Sequence, residues 1–128
     1  MPIETYQENA LKLKHDLVLG AVTLFAPAFL TLEVTNALWR AVKLKRLSEE
    51  NSQKALKTLD DTKISLYELD WPEVSQVLEL ALELDIAIYD AAYVFLSDKM
   101  NSPLVTSDTK LHEKTKSQFQ VLYLKDYV

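Results

Sequence analysis

Ile86 to Asp108, IAIYDAAYVFLSDKMNSPLVTSD, is the stretch whose reading decides the fold. An apolar helix begins in its first residues and carries Asp90 at its mouth. A connector with a proline, Asn101 to Pro103, leads into the short apolar run Leu104 to Thr106, and Asp108 lies just beyond. A helix start and a strand end that each carry a carboxylate are parts from which an open α/β sheet builds a site at one rim. Each acid also has a plain structural reading: Asp90 as an anion suited to a helix N-terminus, Asp108 as the N-cap of the next helix.

Working outward, strands and helices alternate. Glu4 to Leu19 has helical spacing through Ala10, Leu13, Leu17 and Val18, with Gly20 placed as its stop. Val22 to Ala26, VTLFA, is a buried strand ended by Pro27. A helix over Phe29 to Leu44 buries the stripe Leu30, Val34, Ala37, Leu38 and Ala41. Ser48 opens another helix, with Glu49 and Glu50 in its first turn. Ile64 to Leu69 is a strand. Asp70 then caps a helix with Pro72 in the first turn and Glu73 completing a capping box. The core face predicted for that helix is Val74, Val77, Leu78, Ala81 and Leu82. Thr109 to Thr115 is a short helix and Gln120 to Leu124 a last strand. This order predicts an α/β fold, a mostly parallel sheet with helices on both faces.

The chain has 128 residues, 48% hydrophobic and 26% charged, which predicts one globular domain over 1–128. It has no cysteine, so disulfides and thiolate metal sites are excluded. No apolar run reaches the roughly 20 residues of a membrane span, and the first residues are polar; the expected location is cytoplasmic. A single glycine, Gly20, rules against a P-loop or a dinucleotide-binding glycine turn. The net charge of −5 argues against a broad basic surface that grips nucleic acid by charge alone.

Sites in such sheets form beyond the carboxyl ends of the strands, and three acids are placed to reach one rim: Glu33, Asp90 and Asp108. Glu33 sits on the shoulder of its helix's apolar stripe, Arg40 falls near the same angle two turns later, and Asn36 lies further round. Three converging carboxylates would repel unless a cation lay among them, and all-oxygen ligation favours Mg²⁺ or Mn²⁺. Such an ion activates water and stabilises charge on a phosphoryl oxygen. Asp60 and Asp61 invite a phospho-receiver reading, but they follow a helix and precede a polar turn, which suits a solvated turn. No GxSxG elbow exists, and His15 and His112 lack metalloprotease spacing.

The segments FAPAFLTLEVTNALWRAVKLKRLSEE, ELDIAIYDAAYVFLSDKMNSPLVTSDTKLHE and QVLYL resemble a PIN-domain protein of the VapC toxin type. The likeness in order and spacing runs from about Tyr6 to Tyr127, carried by TLEVTNAL, IYDAAY and LVTSD. It implies a three-layer α/β/α ribonuclease sandwich with a mostly parallel central sheet, in which acids bind Mg²⁺ or Mn²⁺ and cut RNA. By matching position, Glu33, Asp90 and Asp108 are metal-binding and catalytic acids, and Asn36 and Thr106 support them; Arg40, near the same helix angle as Glu33, is the expected RNA contact. The resemblance further implies an antitoxin of VapB type that covers the site, and a homodimer. The family opens on a strand ending in Asp, a principal ligand; MPIETYQENALKL aligns just after it, and Glu4 lacks its apolar setting. The expectation is therefore a chain without that ligand, the gap closed by an upstream or partner strand. The alternative is an impaired PIN-like module that only binds an antitoxin or dimerises.

Overall fold

A computed structural model describes residues 24–62, 64–106 and 108–123 of the chain. The helix expected over Glu4 to Leu19, its stop at Gly20, the start of the first strand at Val22 and the last strand's Leu124 lie outside those residues. The described elements are β1 (Leu24–Pro27), α1 (Leu30–Lys43), α2 (Glu49–Asp60), β2 (Ile64–Tyr67), α3 (Trp71–Leu84), α4 (Ile88–Lys99), β3 (Leu104–Thr106), α5 (Thr109–Thr115) and β4 (Val121–Tyr123). The α/β alternation read from the sequence is present.

The described residues divide into two compact units, one up to Glu68 and one from Leu69 on. In the first, β1 and β2 pair in parallel, Leu24 opposite Ile64 through Pro27 opposite Tyr67, with α1 and α2 forming the crossover. Parallel neighbours need such a crossover because their ends lie at opposite edges of the pair. Pro27 ends β1 as expected. Its partner Tyr67 ends β2, so the strand predicted to Leu69 stops earlier: past Tyr67 the β1 ladder offers no further residue, and the backbone turns into the Asp70 cap. In the second unit β3 and β4 pair in parallel, Leu104 opposite Val121 through Thr106 opposite Tyr123, with α5 as the crossover.

Helix starts follow local chemistry closely. Ser48 accepts from Asn51 N at 3.0 Å, and Asp108 from Leu111 N at 3.1 Å. Asp70 accepts from Glu73 N at 2.9 Å while Glu73 Oε1 accepts from Asp70 N at 3.1 Å, the reciprocal capping box. Helix ends use an unusual set of residues. Lys45, Asp85 and Asn101 adopt positive φ (57°, 53° and 49°) just past α1, α3 and α4. After α1, Arg46 N donates to Ala41 O and Lys45 N to Val42 O, the paired bonds of a Schellman turn. After α4, Ser102 N donates to Ser97 O and Asn101 N to Asp98 O in the same pattern. Glycine normally fills this position, and in a chain with one glycine other residues must.

The core of the second unit lies where α3 packs on α4. Ala91, Ala92, Val94 and Leu96 of α4 are buried, and the two alanines let the helix backbones approach. On α3 the buried face is Glu73, Val77, Ala81 and Leu84. Burying a side chain of Val or Leu size contributes about 1.5–3 kcal/mol. Two predicted core residues of α3 are corrected: Leu78 is 51% exposed and Leu82 75%. The helix is apolar on most of its circumference, so periodicity alone admitted two faces, and α4 selects the one centred on Val77.

Candidate acidic site

Asp108 is held at both ends of its residue. Its backbone N–H donates to Thr106 Oγ1 at 3.0 Å, from the last residue of β3, and its carboxylate caps α5 through Leu111 N. Leu111 is itself buried, which anchors the capped turn. An ionised carboxylate offers about four acceptor positions, so one capping bond leaves capacity on the other oxygen. The cap and ligand readings of Asp108 are compatible.

Asp90 is the third residue of α4, in its first turn and half-buried. The N-cap of that helix is Ala87, which has no side-chain acceptor, so a carboxylate in the first turn faces peptide N–H groups and the positive end of the helix dipole. Asp90 and Asp108, 18 residues apart in the chain, line one open cavity of about 190 Å³ with Asp85, Ile86, Ala87, Lys110, Leu111 and Lys114. A helix-start acid and an acid just past a strand end thus line the same cavity. Thr106 touches this wall through the bond its Oγ1 accepts from the Asp108 N–H.

Glu33, Asn36 and Arg40 lie on α1 in the other unit, all three exposed. The shoulder position read for Glu33 has a simple local basis: Ala37, the edge of the stripe nearest to it, is exposed too. Among the described residues no group of three or more Asp, Glu or His side chains is close enough to hold a metal ion. The donor chemistry of Asp90 and Asp108, two carboxylates at one cavity, is of the kind that a hard divalent cation takes. Asp61 pairs with Lys57 at 3.1 Å on the surface, in keeping with the solvated-turn reading, and His112 is partly buried on α5.

Three lining residues were missed. Asp85 takes the left-handed position between α3 and α4, and its carbonyl accepts from Lys114 Nζ at 2.6 Å. That bond ties the corner before α4 to α5. Lys110 and Lys114 are four residues apart, hence on one face of α5. The signal was present: they follow Asp108 by two and six residues, so any cavity reached by the cap is within their reach.

A model of the family described as PIN domain matches residues 4–117 and so spans both units. Exonuclease VapC9 of Pyrobaculum aerophilum is 33% identical over 90 residues, covering 70% of this chain and 65% of that protein. Ribonuclease VapC1 of Mycobacterium tuberculosis is 35% identical over 88 residues, covering 67% of this chain and 63% of that protein. The chain thus spans a little under two thirds of the length of these curated relatives. The crystal structure of PAE2754 from Pyrobaculum aerophilum superposes with a TM-score of 0.53 at 24% identity, over 74% of this chain and 87% of that one, a likeness of fold. This chain belongs to the PIN domain family, and the curated proteins it resembles are of VapC type. Among the described residues no helix is long and apolar enough to cross a membrane.

Proposed function

We propose that the protein is a metal-dependent endoribonuclease of VapC type that hydrolyses RNA phosphodiesters. The observation that carries this reading is the convergence of Asp90 and Asp108 on one cavity from a helix start and a strand end. In it, Asp90 and Asp108 hold Mg²⁺ or Mn²⁺, and Glu33 stands as the third ligand on the family resemblance alone. The bound ion supplies water activation and neutralises charge at the phosphoryl group. Asp108 is kept in one orientation by its cap and by Thr106, and Asp90 is steadied by the first turn of α4. Asn36 has a supporting part by the same resemblance, and Arg40 an RNA-contacting part from the angle it shares with Glu33 on α1.

The test is cleavage of single-stranded RNA with Mn²⁺. Asp90→Asn and Asp108→Asn are each expected to lose at least about a hundredfold in rate, the scale of removing an electrostatic element from a site. Cleavage as fast as that of the parent chain by both variants overturns the reading.

A second reading, a module that binds an antitoxin of VapB type or a second copy of itself, is favoured by one observation. Trp71, Leu78 and Leu82 of α3 fall within about 40° of one another around the helix axis and are 87%, 51% and 75% exposed. Contiguous exposed apolar residues mark interaction surfaces. Calorimetric titration with Mn²⁺ separates the two. Stoichiometric binding lost in Glu33→Gln contradicts a metal-free module, and absence of binding contradicts the nuclease.

A further inference from the structure

The acidic cavity also carries the means to hold a nucleic-acid phosphate. Three carboxylates line it, Asp85, Asp90 and Asp108, in a chain whose net charge is −5. A polyanion approaching such a site is repelled unless cations stand at its wall. Two do, Lys110 and Lys114. They share one face of α5, and their four-residue spacing puts about 6 Å between their Cβ atoms, close to the separation of successive phosphates along an RNA strand.

The two lysines are held differently. Lys114 donates to the Asp85 carbonyl at 2.6 Å and lies 3.9 Å from the Asp85 carboxylate, so its position is fixed by the protein. An ammonium group has three donors, and the carbonyl uses one. Lys110 is exposed, and no described residue accepts a hydrogen bond or ion pair from it. A lysine that neutralised the acids permanently would be paired with Asp90 or Asp108. Lys114 is bonded to Asp85 instead, and Lys110 and Lys114 both stand at the wall where a ligand would pass.

We infer that Lys110 and Lys114 are phosphate contacts of this site, which hold the backbone of single-stranded RNA beside Asp90 and Asp108 by charge and without reading sequence. The inference rests on the nuclease reading for its substrate class, and its test needs neither metal nor cleavage. Binding of a fluorescein-labelled oligouridylate to the full chain is measured in EDTA across a range of salt concentrations. Each single-strand phosphate contact contributes about 0.7 to the slope of log K against log salt. Lys110→Gln, which breaks no hydrogen bond with a described residue, is expected to lower that slope by about 0.7, and Lys110→Gln with Lys114→Gln by about 1.4. Lys110→Arg keeps the charge and is expected to keep the slope. Lys54→Gln, on α2 and paired with Glu50, is the reference and is expected to change nothing. An unchanged slope in the double variant, an equal loss in Lys54→Gln, or no RNA binding by the parent chain overturns the inference. Cleavage lost in Asp90→Asn and Asp108→Asn with the lysine-dependent slope intact supports both readings; cleavage retained in both removes the role proposed for the two acids and leaves the phosphate contact standing.

Discussion

The carboxylate of Asp108 caps α5 and faces the acidic cavity, and these two roles respond differently to substitution. Asn caps a helix as well as Asp does, whereas Ala removes the acceptor at a cost of about 1 kcal/mol. Urea denaturation is therefore expected to give Asp108→Asn a stability within about 0.5 kcal/mol of the parent and Asp108→Ala a loss of about 1 kcal/mol. If both variants lose Mn²⁺-dependent cleavage, the loss follows the charge; if only Ala does, it follows the fold. At the other end of α5, the Lys116 ammonium bonded to Glu113 holds that carboxyl below the usual Glu range. A carboxyl depressed in the folded state adds stability above its unfolded pKa, and that contribution fades as pH falls through the folded value. Glu113→Gln is expected to flatten the acid limb of the stability curve slightly at low salt. At high salt the two curves should coincide, because both side chains are exposed and the pair is screened.

Among the elements, α3 and α4 are joined by chemistry as well as packing. Glu73 is buried, its Oε1 bonded to the Asp70 N–H and its Oε2 to Lys99 Nζ at 2.6 Å on α4. Glu73→Ala removes half of the capping box, a buried acceptor and the partner of Lys99. Breaking a fully buried pair costs more, but Lys99 is 42% exposed and keeps water, so about 2 kcal/mol is expected in a urea melt. The capping motif was legible from Asp70 and Glu73 alone; the Lys99 partner, 26 residues on, was not. At the end of α1, Lys45 adopts a positive φ that is strained for a residue with a Cβ. Lys45→Gly is expected to raise stability by about 1 kcal/mol, measured in the same way.

At the scale of the whole chain, the two units differ in how much they bury. Neither α1 nor α2 has a buried residue, whereas α4 alone has four. Local opening is cheapest where few apolar contacts are broken. Hydrogen exchange is expected to be slowest at the amides of Ala91 to Leu96 and faster by orders of magnitude along α1 and α2, and uniform protection would contradict that difference. The sequence by itself determined what depends on near neighbours. The helices, the strand Leu104–Thr106, the caps at Ser48, Asp70 and Asp108, and the candidate acids Asp90 and Asp108 all follow from spacing and side-chain chemistry within a few residues. Only the tertiary structure decided which face of α3 is buried, where β2 stops, and that Asp85, Lys110 and Lys114 share a wall with the two acids. Those outcomes depend on partners far along the chain: α4 for α3, Pro27 for Tyr67, and the Asp85 corner for Lys114. Periodicity shows that a face is apolar, and the packed partner decides whether it is inside.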